Sequence, residues 1–210
     1  MPSMPLVIGM SATIERFNQL AMVSNSTQMP KVEVTPDEVR DSGLLKDKIN
    51  IHHPKDGEVF AEMTYLAQAA KDWADKCMHW EAYKIHEDVD VCPALVVQVK
   101  NGNNEKVSDT DLEECIRQIE SNSGISLNSE DVVHTFNNSE SVRMNGIDVR
   151  YLDPSKIAEM KRVKVIFFKD NLSTGWDCPR AETMMSFKVA SGYTNIAQLL
   201  GRMVRTPLQK

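Results

Sequence analysis

No apolar run in the 210 residues approaches the roughly 18 needed for a membrane-spanning helix, and the opening Met1-Pro2-Ser3-Met4-Pro5 lacks a signal-peptide pattern. The cytoplasm is therefore the expected compartment. Cysteines are few and never closely spaced. Cys77, Cys92, Cys115 and Cys178 show neither the ligand spacing of a zinc site nor that of a redox dithiol, and they read as reduced core or strand-end residues. The five histidines are scattered too; His52-His53 beside Pro54 reads as a turn, so no metal site is expected. Acidic side chains outnumber basic ones, 30 to 24. A net charge of −6 argues against a domain that coats itself in nucleic acid through bulk electrostatics, while leaving room for a local basic channel.

What the chain does have is a globular composition, with 41% hydrophobic and 26% charged residues, enough for one good core and a flanking piece of another. The short apolar run Leu6-Val7-Ile8-Gly9-Met10 suits a buried strand and ends in Ser11-Ala12-Thr13. Residues 31–57 mix charges with Pro36, Gly43, Pro54 and Gly57 and read as a connector; Asp37-Glu38 within it reads as a helix N-terminus or turn. From Val59, apolar residues recur at steps of three and four through Trp73 and Trp80, the pattern of a long helix with both indoles on its packed stripe.

Strand and helix then alternate. Pro93-Ala94-Leu95-Val96-Val97-Gln98-Val99 is continuously apolar, as central parallel strands are. Thr110 and Glu113 form a possible capping box for a helix that stops before Gly124. A second strand follows at 131–136, a polar excursion at 137–150, and a short helix with Asp153 as N-cap and Pro154 at its first position. A third strand covers 163–168 and a fourth 182–188, with a closing helix after them. This alternation predicts an α/β fold, a parallel sheet with helices on both faces in three α/β/α layers, with ligands outside the carboxyl ends of the strands. The loop Ser173-Thr174-Gly175-Trp176-Asp177-Cys178-Pro179 is expected on that working edge.

The closing helix carries the sharpest local pattern. At 100° per residue Gln198, Arg202 and Arg205 share one face with Gly201 beside them, while Ile196, Leu199, Leu200, Met203 and Val204 cover the other. Two guanidiniums one turn apart suit phosphate oxygens, although a charged stripe opposite an apolar one is also the ordinary dress of a surface helix.

In order, Ser11-Ala12-Thr13, the strand ending near Gln98, the Ser173 to Pro179 loop and Gln198-x-x-Gly201-Arg202-x-x-Arg205 resemble motifs III, IV, V and VI of superfamily-two helicases. Within that superfamily, Val39-Arg40-Asp41-Ser42-Gly43-Leu44-Leu45-Lys46-Asp47 and the Gly-Trp-Asp-Cys-Pro loop look like the restriction (Res) subunits of type III restriction-modification systems. The resemblance implies two RecA-like lobes with ATP and Mg2+ in the cleft between them and movement on DNA. It implies that residues 1–30 are the remnant of a first lobe, 31–58 an inter-lobe connector and 59–210 the second lobe.

The resemblance makes Arg205 an arginine finger, Arg202 a second phosphate contact and Gln198 a polar contact in the ATP site. Gly175 and Asp177 match the loop linking nucleotide state to the nucleic-acid backbone, with Ser173 and Thr174 as backbone contacts, and Ser11 and Thr13 match the coupling motif. A methyltransferase (Mod) subunit is an implied partner, and a nuclease module is expected beyond Lys210. No glycine opens a G-x-x-x-x-G-K-[ST] phosphate loop, and no acidic pair follows a buried strand before Ser11. The expectation is thus a fragment, unable to hydrolyse ATP alone, of a DNA-dependent ATPase or translocase. The rival readings are the second lobe of another superfamily-two DNA or RNA helicase, or a non-catalytic nucleic-acid-binding domain.

Overall fold

In the computed structural model, the described residues are 19, 32–54, 61–136, 140–170, 176–188 and 199–208. By internal contacts the chain divides into two units, Met1–Thr35 and Pro36–Lys210. Everything below concerns the second. The strand expected at residues 6–10, with Ser11 and Thr13, lies outside the described residues, as do Ser173, Thr174, Gly175 and Gln198.

The second unit contains helices α1 (Pro36–Asp41), α2 (Glu62–Glu87) and α3 (Leu112–Ser123) and strands β1 (Ala94–Gln98), β2 (Val132–His134), β3 (Val142–Met144), β4 (Ile147–Tyr151), β5 (Val165–Phe168) and β6 (Ala181–Ser186). A 3-10 turn at Pro154–Lys156 separates β4 from β5. The strands form one sheet in the order β3-β4-β2-β5-β1-β6, parallel throughout except for the antiparallel β3–β4 pair.

Continuous apolar strands are what a sheet covered on both sides requires, because successive side chains point to opposite faces. Leu95, Val97, Val132, Val165 and Phe167 join Leu66, Ala70 and Trp73 of α2 and Cys115, Ile116 and Ile119 of α3 in one core. Ala94, Val96, Val133, Ile166 and Phe168 face the other way, into a second core with Ile157, Trp176, Cys178, Leu199 and Met203. These strand residues are all about fully buried, and each such apolar side chain larger than Ala contributes roughly 1.5–3 kcal/mol. The result is a three-layer α/β/α arrangement consistent with a RecA-like lobe. Its second helical layer consists, among the described residues, of short pieces such as the helical residues 199–201.

The local signals hold with four corrections. The first is that the closing helix expected to carry Arg202 and Arg205 ends at Gly201, leaving Arg202 in a turn and Arg205 bridged to Leu45. Asp37 and Glu38 do lie in the first turn of a helix, α1, and Asp153 does cap the turn at Pro154, accepting from Ser155 N at 2.9 Å. The cap of α3, however, is Asp111, whose carboxylate accepts from Glu114 N at 2.9 Å; Thr110 Oγ1 instead accepts from Lys100 N, tying the loop after β1 to the helix start. The stretch expected as a polar excursion contains the β3–β4 hairpin, turned by Asn145 at φ 48° and Gly146 at φ 81°, an Asn-Gly pair of the type two-residue hairpins favour. Of the two indoles on α2, Trp73 is fully buried and donates to Pro93 O at 3.1 Å, whereas Trp80 is only half-buried, edge-on to Tyr83.

Candidate functional site

The strand that carries the site is β6, and the segment leading into it is held by one side chain. Arg180 is 8% exposed, and its guanidinium donates to Cys92 O (3.1 Å), Met160 O (2.8 Å) and Val163 O. Cys92 and Val163 precede β1 and β5, so Arg180 pins residues 176–180 at the amino-terminal ends of the strands. The described half of the loop is therefore not on the carboxyl edge that sheet topology alone suggested. The parallel β6 begins at the amino edge of the sheet, and Asp177, four residues before it, falls on that side.

There the structure brings together three of the residues singled out by sequence. Arg205 Nη1 donates to Asp177 Oδ2 at 2.8 Å, and Arg202 Nη1 donates to Trp176 O at 2.6 Å. Trp176 is 2% exposed and packs with Leu199 and Met203, so the apolar face of the final turn seats itself on the loop while its polar face meets Asp177. Gly201 has open space around its Cα, leaving that side of the turn free of protein atoms among the described residues.

Three buried polar atoms of this cluster have no hydrogen-bond partner among the described residues: Trp176 Nε1, Asp177 Oδ1 and Arg202 Nε. Leaving such groups unmade costs about 1–3 kcal/mol each in a folded protein. Two are donors suited to an anionic oxygen and one is an acceptor suited to a hydroxyl. Arginine guanidiniums suit phosphate oxygens. No group of three or more His, Cys, Asp or Glu side chains able to hold a metal ion occurs among the described residues.

At the opposite, carboxyl edge lies a polar network that the motifs touched only at Gln98. Its amide donates to Lys169 O (2.8 Å) and accepts from Ser186 Oγ (2.8 Å). Lys188 Nζ donates to Asp170 Oδ1 (2.7 Å) and Asn101 Oδ1 (3.1 Å), and Lys100 pairs with Glu62. Burial first, and then the neighbouring Lys188 charge, pull the Lys169 ammonium below its usual range, while its contact with the Phe136 ring at 4.9 Å gives the cation a partner. Lysines dispersed through loops carry no motif, so only the parallel sheet collects them.

Lys46 is the residue that sequence reasoning passed over, although it lies in a quoted stretch. Its backbone and side chain both reach the arginine-bearing turn: Lys46 N donates to Val204 O (2.7 Å), and Lys46 Nζ to Met203 O (2.7 Å) and Ala181 O (2.9 Å). Among the described residues no helix is long and apolar enough to cross a membrane. Comparisons with protein families, with curated proteins and with solved structures give no match for this chain.

Proposed function

We propose that this chain is the second RecA-like lobe of a DNA-dependent ATPase or translocase, of the kind found in restriction subunits of type III systems. The observation that carries the reading is the convergence of Arg202, Arg205, Trp176 and Asp177, with three buried polar atoms that have no partner among the described residues. Arg202 and Arg205 would hold phosphate oxygens, and Asp177 would hold a hydroxyl. ATP, with Mg2+ bound mainly by another lobe, supplies the phosphoryl group for transfer. Such transfer is catalysed chiefly by positioning and charge stabilisation, where an arginine finger contributes roughly a thousandfold or more. The Arg205–Asp177 pair is half exposed and its strength is at most about 1 kcal/mol. It parks the guanidinium without locking it.

The test is DNA-stimulated ATP turnover of a complete enzyme containing this lobe, with Arg205→Ala and Arg202→Ala. Turnover is expected to collapse while nucleotide affinity changes little; normal turnover in both variants overturns the assignment. The chain alone is expected to hydrolyse no ATP and to bind DNA weakly and salt-sensitively. A rival reading as a non-catalytic nucleic-acid-binding domain has the Arg205–Asp177 pair in its favour, since such a domain would use its arginines as salt bridges. The same two variants separate the readings.

A further inference from the structure

We propose that Lys46 is a positioning residue for the two arginines, so that the chain segment ahead of α2 sets their geometry. The inference rests on the phosphate-binding reading above and extends it to a residue that touches no ligand.

Arg202 and Arg205 sit where helical structure runs out. Residues 199–201 are helical, and the last turn closes with Met203 N and Val204 N donating to Leu200 O. Carbonyls at such an end lack intrahelical donors. Lys46 supplies both that matter here, its backbone N–H to Val204 O and its ammonium to Met203 O. The neighbours on either side complete a short antiparallel seam, with Leu45 bridging Arg205 and Thr206 N donating to Leu44 O at 3.0 Å. Every residue from Met203 to Thr206 is thus fixed by residues 44–46.

The same ammonium also reaches the other half of the site. It donates to Ala181 O, the first residue of β6 and four positions after Asp177, and lies 3.6 Å from Glu182 Oε1. One cation therefore holds the start of the strand that follows Asp177 and the turn that carries the arginines. Glu182 keeps Lys76 at 3.7 Å if Lys46 is lost, whereas the ammonium's hydrogen bonds to the Ala181 and Met203 carbonyls go with it. Burial pulls the Lys46 pKa down and Glu182 opposes it, as expected for an ammonium held inside by acceptors. Loss of this tie shifts the arginines relative to Asp177 without removing any group that binds nucleotide.

The experiment compares Lys46→Met, Arg205→Ala and the double variant with wild type in the complete enzyme, reading kcat and the KM for ATP. Misplacement of catalytic groups by about an ångström can slow a reaction on the order of a hundredfold, so Lys46→Met is expected to lower kcat by about ten- to a hundredfold with KM little changed. In the Arg205→Ala background the same substitution should slow the enzyme less than it slows wild type, because one of the two groups it positions is gone. A folded Lys46→Met enzyme with wild-type kcat, while Arg205→Ala is inactive, overturns this inference alone, as does an undiminished effect in the Arg205→Ala background. An active Arg205→Ala enzyme overturns the phosphate-binding reading and this inference with it. If the Met variant does not fold, Lys46→Gln, which keeps a donor for one carbonyl, carries the same test; an unchanged kcat there overturns the proposal.

Discussion

Arg205 grips Asp177 across 28 residues of chain, Nη1 to Oδ2 at 2.8 Å, with 54% and 43% of the two side chains in solvent. A pair so exposed is strong enough to orient a guanidinium and too weak to hold the fold. That division gives the first prediction. Asp177→Asn should change the unfolding free energy of the chain by less than about 1 kcal/mol, and the change should shrink as salt is raised. Urea unfolding at low and high ionic strength measures it, and a loss of several kcal/mol would mean that Asp177 is part of the structural frame instead.

Arg180 is the opposite case. Its buried guanidinium meets three carbonyls from the segments before β1 and β5, and truncation removes all three bonds, leaving Met160 O the one from Val163 N at 3.2 Å. Arg180→Met should destabilise the chain by about 3 kcal/mol or more, read as a lower urea midpoint. A midpoint unchanged from wild type would show that the carbonyls find other partners.

His134 gives the pH dependence. It is fully buried, its Nε2 faces Glu140 O at 2.8 Å, and its Nδ1 accepts from Phe136 N at 3.2 Å. Burial chiefly lowers its pKa, the Glu140 carbonyl opposes this, and the Lys169 charge adds to the lowering. The unfolded chain therefore binds a proton first, near pH 6.5. Its contribution is present in full above that value and is lost as pH falls through the folded pKa. Stability measured by urea between pH 7.5 and pH 5 should decline more steeply for wild type than for His134→Gln; parallel curves would remove His134 as the cause.

Gly146 tests the hairpin. Its φ of 81° lies where side chains are disfavoured, yet a Cβ added there would meet nothing within 4 Å. Gly146→Ala should therefore act through the backbone alone, destabilising the chain by about 1 kcal/mol. A much larger loss in thermal or urea unfolding would indicate a contact that the open space around Gly146 does not predict.

Much of the fold was legible because its signals are local. The continuous apolar runs at β1 and β5, the three- and four-residue spacing of α2, Gly124 ending α3 and Asp153 before Pro154 each act within a few residues of chain. The β3–β4 hairpin was missed because its strands are three and five residues long and mostly polar outside, so that Asn145-Gly146 was the one available signal. The Thr110 cap failed for a similar reason: Asp111, one residue on, offers a carboxylate to the same helix end.

By itself the sequence determined the class, a parallel sheet between apolar layers, because burial on both faces demands continuous hydrophobic strands and helices of matching period. It also singled out Arg202, Arg205 and Asp177 as candidate site residues. Only tertiary structure decided that Arg205 meets Asp177, that Trp176 and Arg202 retain buried atoms with no partner among the described residues, and that Lys46 reaches Ala181 and Met203 from 135 and 157 residues away. Hydrophobic periodicity is written locally, whereas the partner of a buried polar group is chosen by which distant carbonyls the closed sheet leaves within reach of it.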